Sequence, residues 1–110
     1  MQPHKRISLA STNATNLKNI AGVIGGIIAI NLTSSVKYLK IYDKATAPTV
    51  GTDVPVMTIP IPASTDGAGF VFSVPIQLAA GIGYAITGAA ADNDNTAVGA
   101  GEVIVNLAWE

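Results

Sequence analysis

The chain has no cysteine. That removes disulfides, thiolate chemistry and cysteine-bound zinc in one step. A single histidine, His4, stands near the start, so a histidine-based triad or a two-histidine metal site has little material. Charge is scarce: 12% of residues are Asp, Glu, Lys or Arg, against about 25% in an ordinary soluble domain. Beyond residue 44 there is no lysine or arginine at all. Long apolar runs are missing as well. The longest, IAGVIGGIIAI at 20–30, falls short of the ~20 residues a membrane helix needs. Its glycines and β-branched residues suit a buried strand instead. The opening MQPHKRISLAST has no apolar stretch after its basic residues and does not read as a secretory signal. Sequons at Asn13-Ala14-Thr15 and Asn31-Leu32-Thr33 therefore carry no weight. The expectation is a soluble chain with no membrane partner and no targeting segment.

What is present is apolar and small. Hydrophobic residues make up 49% of the chain, and Gly, Thr, Ser and Asn fill much of the rest. A free monomer stays dispersed through a charged surface, roughly 25–35% of it in a well-behaved domain. This composition predicts that other copies or a larger partner cover much of the outside. The charges are also segregated. Lys5, Arg6, Lys18, Lys37, Lys40 and Lys44 lie in the first 44 residues with one acid, Asp43. Asp53, Asp66, Asp92, Asp94, Glu102 and Glu110 hold the remainder. A net charge of −1 with so few basic residues does not fit nucleic-acid binding. Complementary contacts between identical subunits fit the split better.

Short alternating runs separated by Gly, Pro, Asn, Asp or Thr recur along the sequence. KRISLAS (5–11) opens as an edge strand, and GVIGGIIAINL (22–32) is apolar on both faces, as a central strand is. In VKYLKIYDK (36–44), Leu39 and Ile41 share one face while Tyr38 and Tyr42 share the other. VPVMTIPIP (54–62) carries three prolines, so it lies at an edge or is interrupted. FVFSVPIQL (70–78) points Phe70, Phe72, Val74, Ile76 and Leu78 one way. GIGYAIT (81–87) does so with Ile82, Tyr84 and Ile86, and EVIVNLAW (102–109) with Val103, Val105, Leu107 and Trp109. The reading is all-β: a single-domain antiparallel β-sandwich of about seven strands over residues 1–110, with 1–12 an N-terminal arm or edge strand.

No stretch assembles a reaction centre. ADNDNTAVGAGE (91–102) has calcium-loop flavour, with Asp92 and Asp94 alternating. Counted from Asp92, however, Ala97 stands where an EF-hand needs glycine and Val103 where it needs glutamate. The stretch reads as an inter-strand loop whose Asn and Asp residues cap their own backbone. Gly81-Ile82-Gly83 lacks the third glycine and the helix of a dinucleotide site. No catalytic residue, cofactor or metal is expected. The candidates that remain are partner contacts: His4, Lys5 and Arg6 as a basic arm toward an acidic neighbour, and the tyrosines Tyr38 and Tyr42, a residue type enriched in interfaces.

STNATNLK (11–18), VKYLKIYDKATAPTVGTDVPVMTIPIPA (36–63) and GIGYAITGAAADNDNTAVGAGEVIVNLAW (81–109) together resemble a group of short β-rich structural proteins of tailed bacteriophages and prophages. The likeness centres on Lys40-Ile41-Tyr42-Asp43-Lys44-Ala45, followed by a Thr-Val-Gly-Thr loop and a proline-bounded strand. The resemblance implies a non-enzymatic virion component assembled in the bacterial cytoplasm. The expected role is a capsid decoration (cement) protein, a small homo-oligomer such as a trimer, bound to the major capsid protein. The alternatives are a tail, neck or spike-base component, or a carbohydrate-binding adhesive module.

Overall fold

The structure is a computed structural model that describes residues 1–73 and 75–110. Nine strands form it: β1 (Gln2–Ile7), β2 (Thr15–Lys18), β3 (Gly22–Asn31), β4 (Lys37–Asp43), β5 (Met57–Ile61), β6 (Gly69–Phe72), β7 (Ile76–Leu78), β8 (Ile82–Thr87) and β9 (Val103–Trp109). No helix occurs among the described residues. One sheet runs β1-β9-β3-β6, with β7 beside the opposite end of β3; the other runs β2-β8-β4-β5. Every pairing between these strands is antiparallel. The expected β-sandwich is the fold observed, with nine strands in place of about seven.

The two additional strands have local causes. The 70–78 run divides around Ser73–Pro75, because proline has no N–H to give a ladder. β6 pairs with Ile27–Ile30 and β7 with Gly22–Ile24. Val74, expected on the core side of that run, lies outside the described residues. β2 is the tetrapeptide TNLK, whose single apolar residue, Leu17, leaves no alternation to detect. The prolines place β5 at the edge of its sheet, as expected. The N-terminal stretch is an edge strand and not a free arm, since β1 is in register with β9 from Gln2↔Trp109 to Ile7↔Ile104.

The core lies between the sheets. On β3 and β9, Ile27 faces Leu107 and Ala29 faces Val105, all buried, while Ile28 and Ile30 of the same strand point outward. A register shift between Ile24 and Gly26 inserts one residue, and this lets Ile24 and Ile27 both turn inward despite their odd spacing. Leu39, Ile41, Ile59, Ile82 and Ile86 answer from the second sheet.

Polar side chains tie the sheets where the apolar layer ends. Asn31, wholly buried at the end of β3, donates to the carbonyls of Ser35 (2.9 Å) and Ile61 (3.0 Å). Its oxygen accepts from the N–H and hydroxyl of Thr33. The Ile61 bond joins the first sheet to β5 of the second. Ser8, just after β1, works within the first sheet, donating to Gly99 O and accepting from the N–H of Val103 on β9. Buried hydrogen bonds contribute about 1 kcal/mol each, and orphaned partners cost about 1–3 kcal/mol. Asn31→Ala is therefore expected to lower unfolding free energy by about 2–4 kcal/mol in urea titrations with an unchanged slope. Asn19→Ala, in the exposed turn after β2, should stay within about 0.5 kcal/mol of the parent.

Candidate functional site

The two outer faces of the sandwich differ in how loops cover them, although Val54 and Val56 of one covering loop are themselves exposed. On the β2-β8-β4-β5 sheet, the connections 45–56 and 88–97 fold back over the strands. All six residues of β8 are buried in consequence, where alternation alone predicts one open face. Pro48 closes on Gly83, reaching 3.5 Å from where a Cβ there would stand, beside Tyr42 at 3.4 Å. Gly51, at φ 96°, abuts Asn93 O and the Asn95 side chain, and so joins the two covering loops. Lys40, wholly buried, fixes the second loop: its ammonium donates to Ala91 O at 2.6 Å and Asp94 O at 3.2 Å.

Tyr42 lies beneath this cover at 1% exposure, so the expected partner contact at Tyr42 is corrected: the loops bury it. Its pKa is raised, first by burial and then by Asp53 and Asp92 nearby. Tyr84 is also buried, which leaves Tyr38, half-buried, as the accessible tyrosine.

The acidic loop serves the fold. The Asp94 carboxylate accepts from the Thr96 hydroxyl and from the N–H groups of Thr96 and Ala89, both at 3.2 Å. Those bonds, the Thr96 hydroxyl first, hold its pKa down. The loop expected at one end of the sandwich is thus a lid over Lys40. Other acids are similarly engaged: Asp43 takes the N–H groups of Ala79 and Ala80, Asp53 pairs with Lys44, and Glu102 accepts from Gly99 N–H. Among the described residues, no three His, Cys, Asp or Glu side chains gather as an ion site. The basic and acidic halves of the sequence meet within one chain, at Lys44–Asp53 and at Lys40 under its loop.

The N-terminal triplet divides. His4 and Arg6 turn inward from β1, while Lys5 is exposed on the opposite face. His4 Nε2 lies 2.7 Å from the Tyr84 hydroxyl, and Arg6 Nε donates to the same oxygen at 3.4 Å. Arg6 also donates to Thr15 Oγ1 at 3.3 Å. The bonding sense follows from the donors. Since Arg6 can only donate, the tyrosine proton is free to go to an unprotonated His4 Nε2. Burial, and then the Arg6 charge, push the His4 pKa down. The arm toward an acidic neighbour is therefore corrected for His4 and Arg6, which bridge the two sheets.

Among the described residues, no loop folds over the outer face of the β1-β9-β3-β6 sheet, and the Met1 side chain rests on it at Gly25. Register puts Ile7, Ile104 and Ile30 in one row, and Lys5, Asn106, Ile28 and Val71 in the next. Ile7 is 50% exposed, Ile28 49% and Val71 63%. Below them, a groove of about 470 Å³ runs over Gly25, Gly26 and Ala108, walled by Pro3 and Phe72. Clustered apolar surface of this kind marks a contact face. This is the candidate functional site, and Lys5 is the one expected contact residue that falls inside it. The residues that build it were not singled out by sequence. The available signal was β3 itself, apolar on both sides, which fits burial on both faces as readily as one face left open.

Two outcomes test these assignments. His4 is held below its ordinary pKa of about 6.5, so the folded state favours the neutral ring. Its contribution is complete above that value and declines as pH falls from about 6.5 through the lowered folded pKa. Unfolding free energy should drop between pH 7 and 5 in the parent and stay flatter in His4→Gln. The engaged aspartates keep their contribution above the ordinary carboxylate pKa of about 4 and lose it as pH falls from there through their lowered folded values. Lys40→Met should cost about 1–3 kcal/mol and speed amide exchange across 89–97, leaving β3 and β9 protected.

No protein-family model, curated protein or solved structure matches the chain.

Proposed function

We propose that the chain is a non-enzymatic structural subunit of a phage-type virion, a decoration protein that ties capsid subunits together from outside. The observation that carries this reading is the uncovered apolar sheet face, set on a sandwich whose other outer face is sealed by its own loops. A chain with so few charges gains by burying that face in an assembly. The resemblance to phage structural proteins, carried by Lys40–Ala45 and the strands around it, supplies the particle. The mechanism is mechanical: apolar contact spread across neighbours resists their separation, and no substrate is turned over.

The polar groups support the same reading. The one histidine is bonded to Tyr84, and Asp43, Asp53, Asp94 and Glu102 are bonded within the fold. A carbohydrate-binding role built on the tyrosines loses support, because Tyr42 and Tyr84 present no ring face to solvent.

Quantitative mass spectrometry of purified virions tests the proposal. The expected copy number is comparable with that of the major capsid protein, and particles lacking the chain should rupture at lower temperature. A copy number of the order of the neck or tail proteins would move the role there. Absence from the particle would overturn it.

A further inference from the structure

We propose that His4, Arg6 and Tyr84 form a proton-operated latch, which holds the edge strand β1 against the second sheet and releases it when the His4 ring is protonated. The latch belongs to the fold and does not depend on what meets the open face.

Among the described residues, β1 is the one strand that adds no side chain to the apolar core or its margin. Its inward side chains are His4 and Arg6, both half-buried. Ladder bonds to β9 hold it within its own sheet. Across to the other sheet it is held by polar contacts. The Tyr84 hydroxyl lies 2.7 Å from His4 Nε2 and 3.4 Å from Arg6 Nε, and Thr15 Oγ1 lies 3.3 Å from Arg6. The His4 and Tyr84 rings also meet, with centroids 5.6 Å apart and planes tilted by 59°. Just beyond β1, buried Ser8 is fixed by its N–H to Val103 and by its hydroxyl to Gly99. Residues 2–7 are therefore a flap whose pivot is Ser8.

The chemistry of one hydroxyl makes the flap sensitive to a proton. Tyr84 has one hydrogen to give and two lone pairs to receive with. Arg6, always a donor, takes a lone pair, and neutral His4 takes the hydrogen. A protonated His4 becomes a second donor to the same oxygen. The tyrosine hydrogen then loses its acceptor, and two cations converge on a buried hydroxyl. No carboxylate offsets them: β1, β2, β8 and β9, the strands around the ring, contain no Asp or Glu. From β9, Leu107 and Val105 stand opposite His4 and Arg6. The other cations of these strands point elsewhere, Lys5 to the outer face and the Lys18 stem against Gly22. Burial and the Arg6 charge already disfavour the charged ring. The latch is closed while His4 is neutral and opens as pH falls below about 6.5. Its release bares the edge of β9 and lifts Pro3, Lys5 and Ile7 from the margin of the open face.

Native-state amide exchange, corrected for the intrinsic effect of pH, tests the latch. In the parent, β1 amides should lose protection several-fold between pH 7 and 5. That opening should be nearly insensitive to low urea, because a flap exposes little surface. His4 is the sole histidine, and the α-amino group and carboxylates are centred outside this window. His4→Gln should remove the pH dependence. Tyr84→Phe, which keeps the buried ring, should leave β1 weakly protected at both pH values. Proton NMR of the folded parent adds a direct reading, a His4 midpoint below about 6.5. If β1 exchanges with the same urea dependence as β3, it opens only with the whole domain and the proposal is overturned. Persistent pH dependence in His4→Gln, full protection of β1 in Tyr84→Phe, or a His4 midpoint at or above about 6.5 also overturns it.

Discussion

The buried Lys40 ammonium, held by the carbonyls of Ala91 and Asp94, decides which side of this molecule is available. Two stacked sheets have four faces, and the inner pair cover each other through the isoleucine and valine core. Lys40 draws the 88–97 connection across the third, where it meets the 45–56 connection at Gly51. A charge enclosed this fully is tolerated only with its donors satisfied, so the lid and the lysine require each other. The fourth face has no such device. Its exposed isoleucines and valine follow from where the loops went, as much as from the strands that carry them.

That asymmetry explains how a chain so poor in charge keeps the charges it has. Lys40, Lys44, Asp53 and Asp94 hold the covering loops, and Arg6 and His4 bridge the sheets through Tyr84. Polar groups used for internal order are not free to disperse a monomer. The same economy leaves Lys5 as the lysine standing among the exposed apolar rows.

Much of the fold was legible in the residues, and the limits have physical causes. Alternation over 82–86 and 103–109 marks the buried sides of β8 and β9, because period two is what a sheet face imposes. Prolines flag β5 as an edge. β2 has no pattern, because a tetrapeptide with one apolar residue, Leu17, is too short to show alternation. The candidate face was harder. Nothing local distinguishes Ile27, which is buried, from Ile28, which is not; the inserted residue between Ile24 and Gly26 sets that parity. The role of Lys40 depends on a loop some 50 positions away, with Ala91 separated from it by 51 residues. His4 and Tyr84 are 80 apart. Contacts of that range are settled by topology, which single-residue patterns do not encode.

The central claim is that the protein meets its neighbours through the outer face of the β1-β9-β3-β6 sheet. Covalent footprinting of side chains, compared between the free protein and the protein bound in purified virions, measures this most directly. The account predicts protection of Ile7, Ile28 and Val71 in the bound state, with Tyr38 and Pro60 on the opposite side unchanged. Protection centred on Tyr38 and Pro60, or equal labelling of Ile28 in both states, would contradict it.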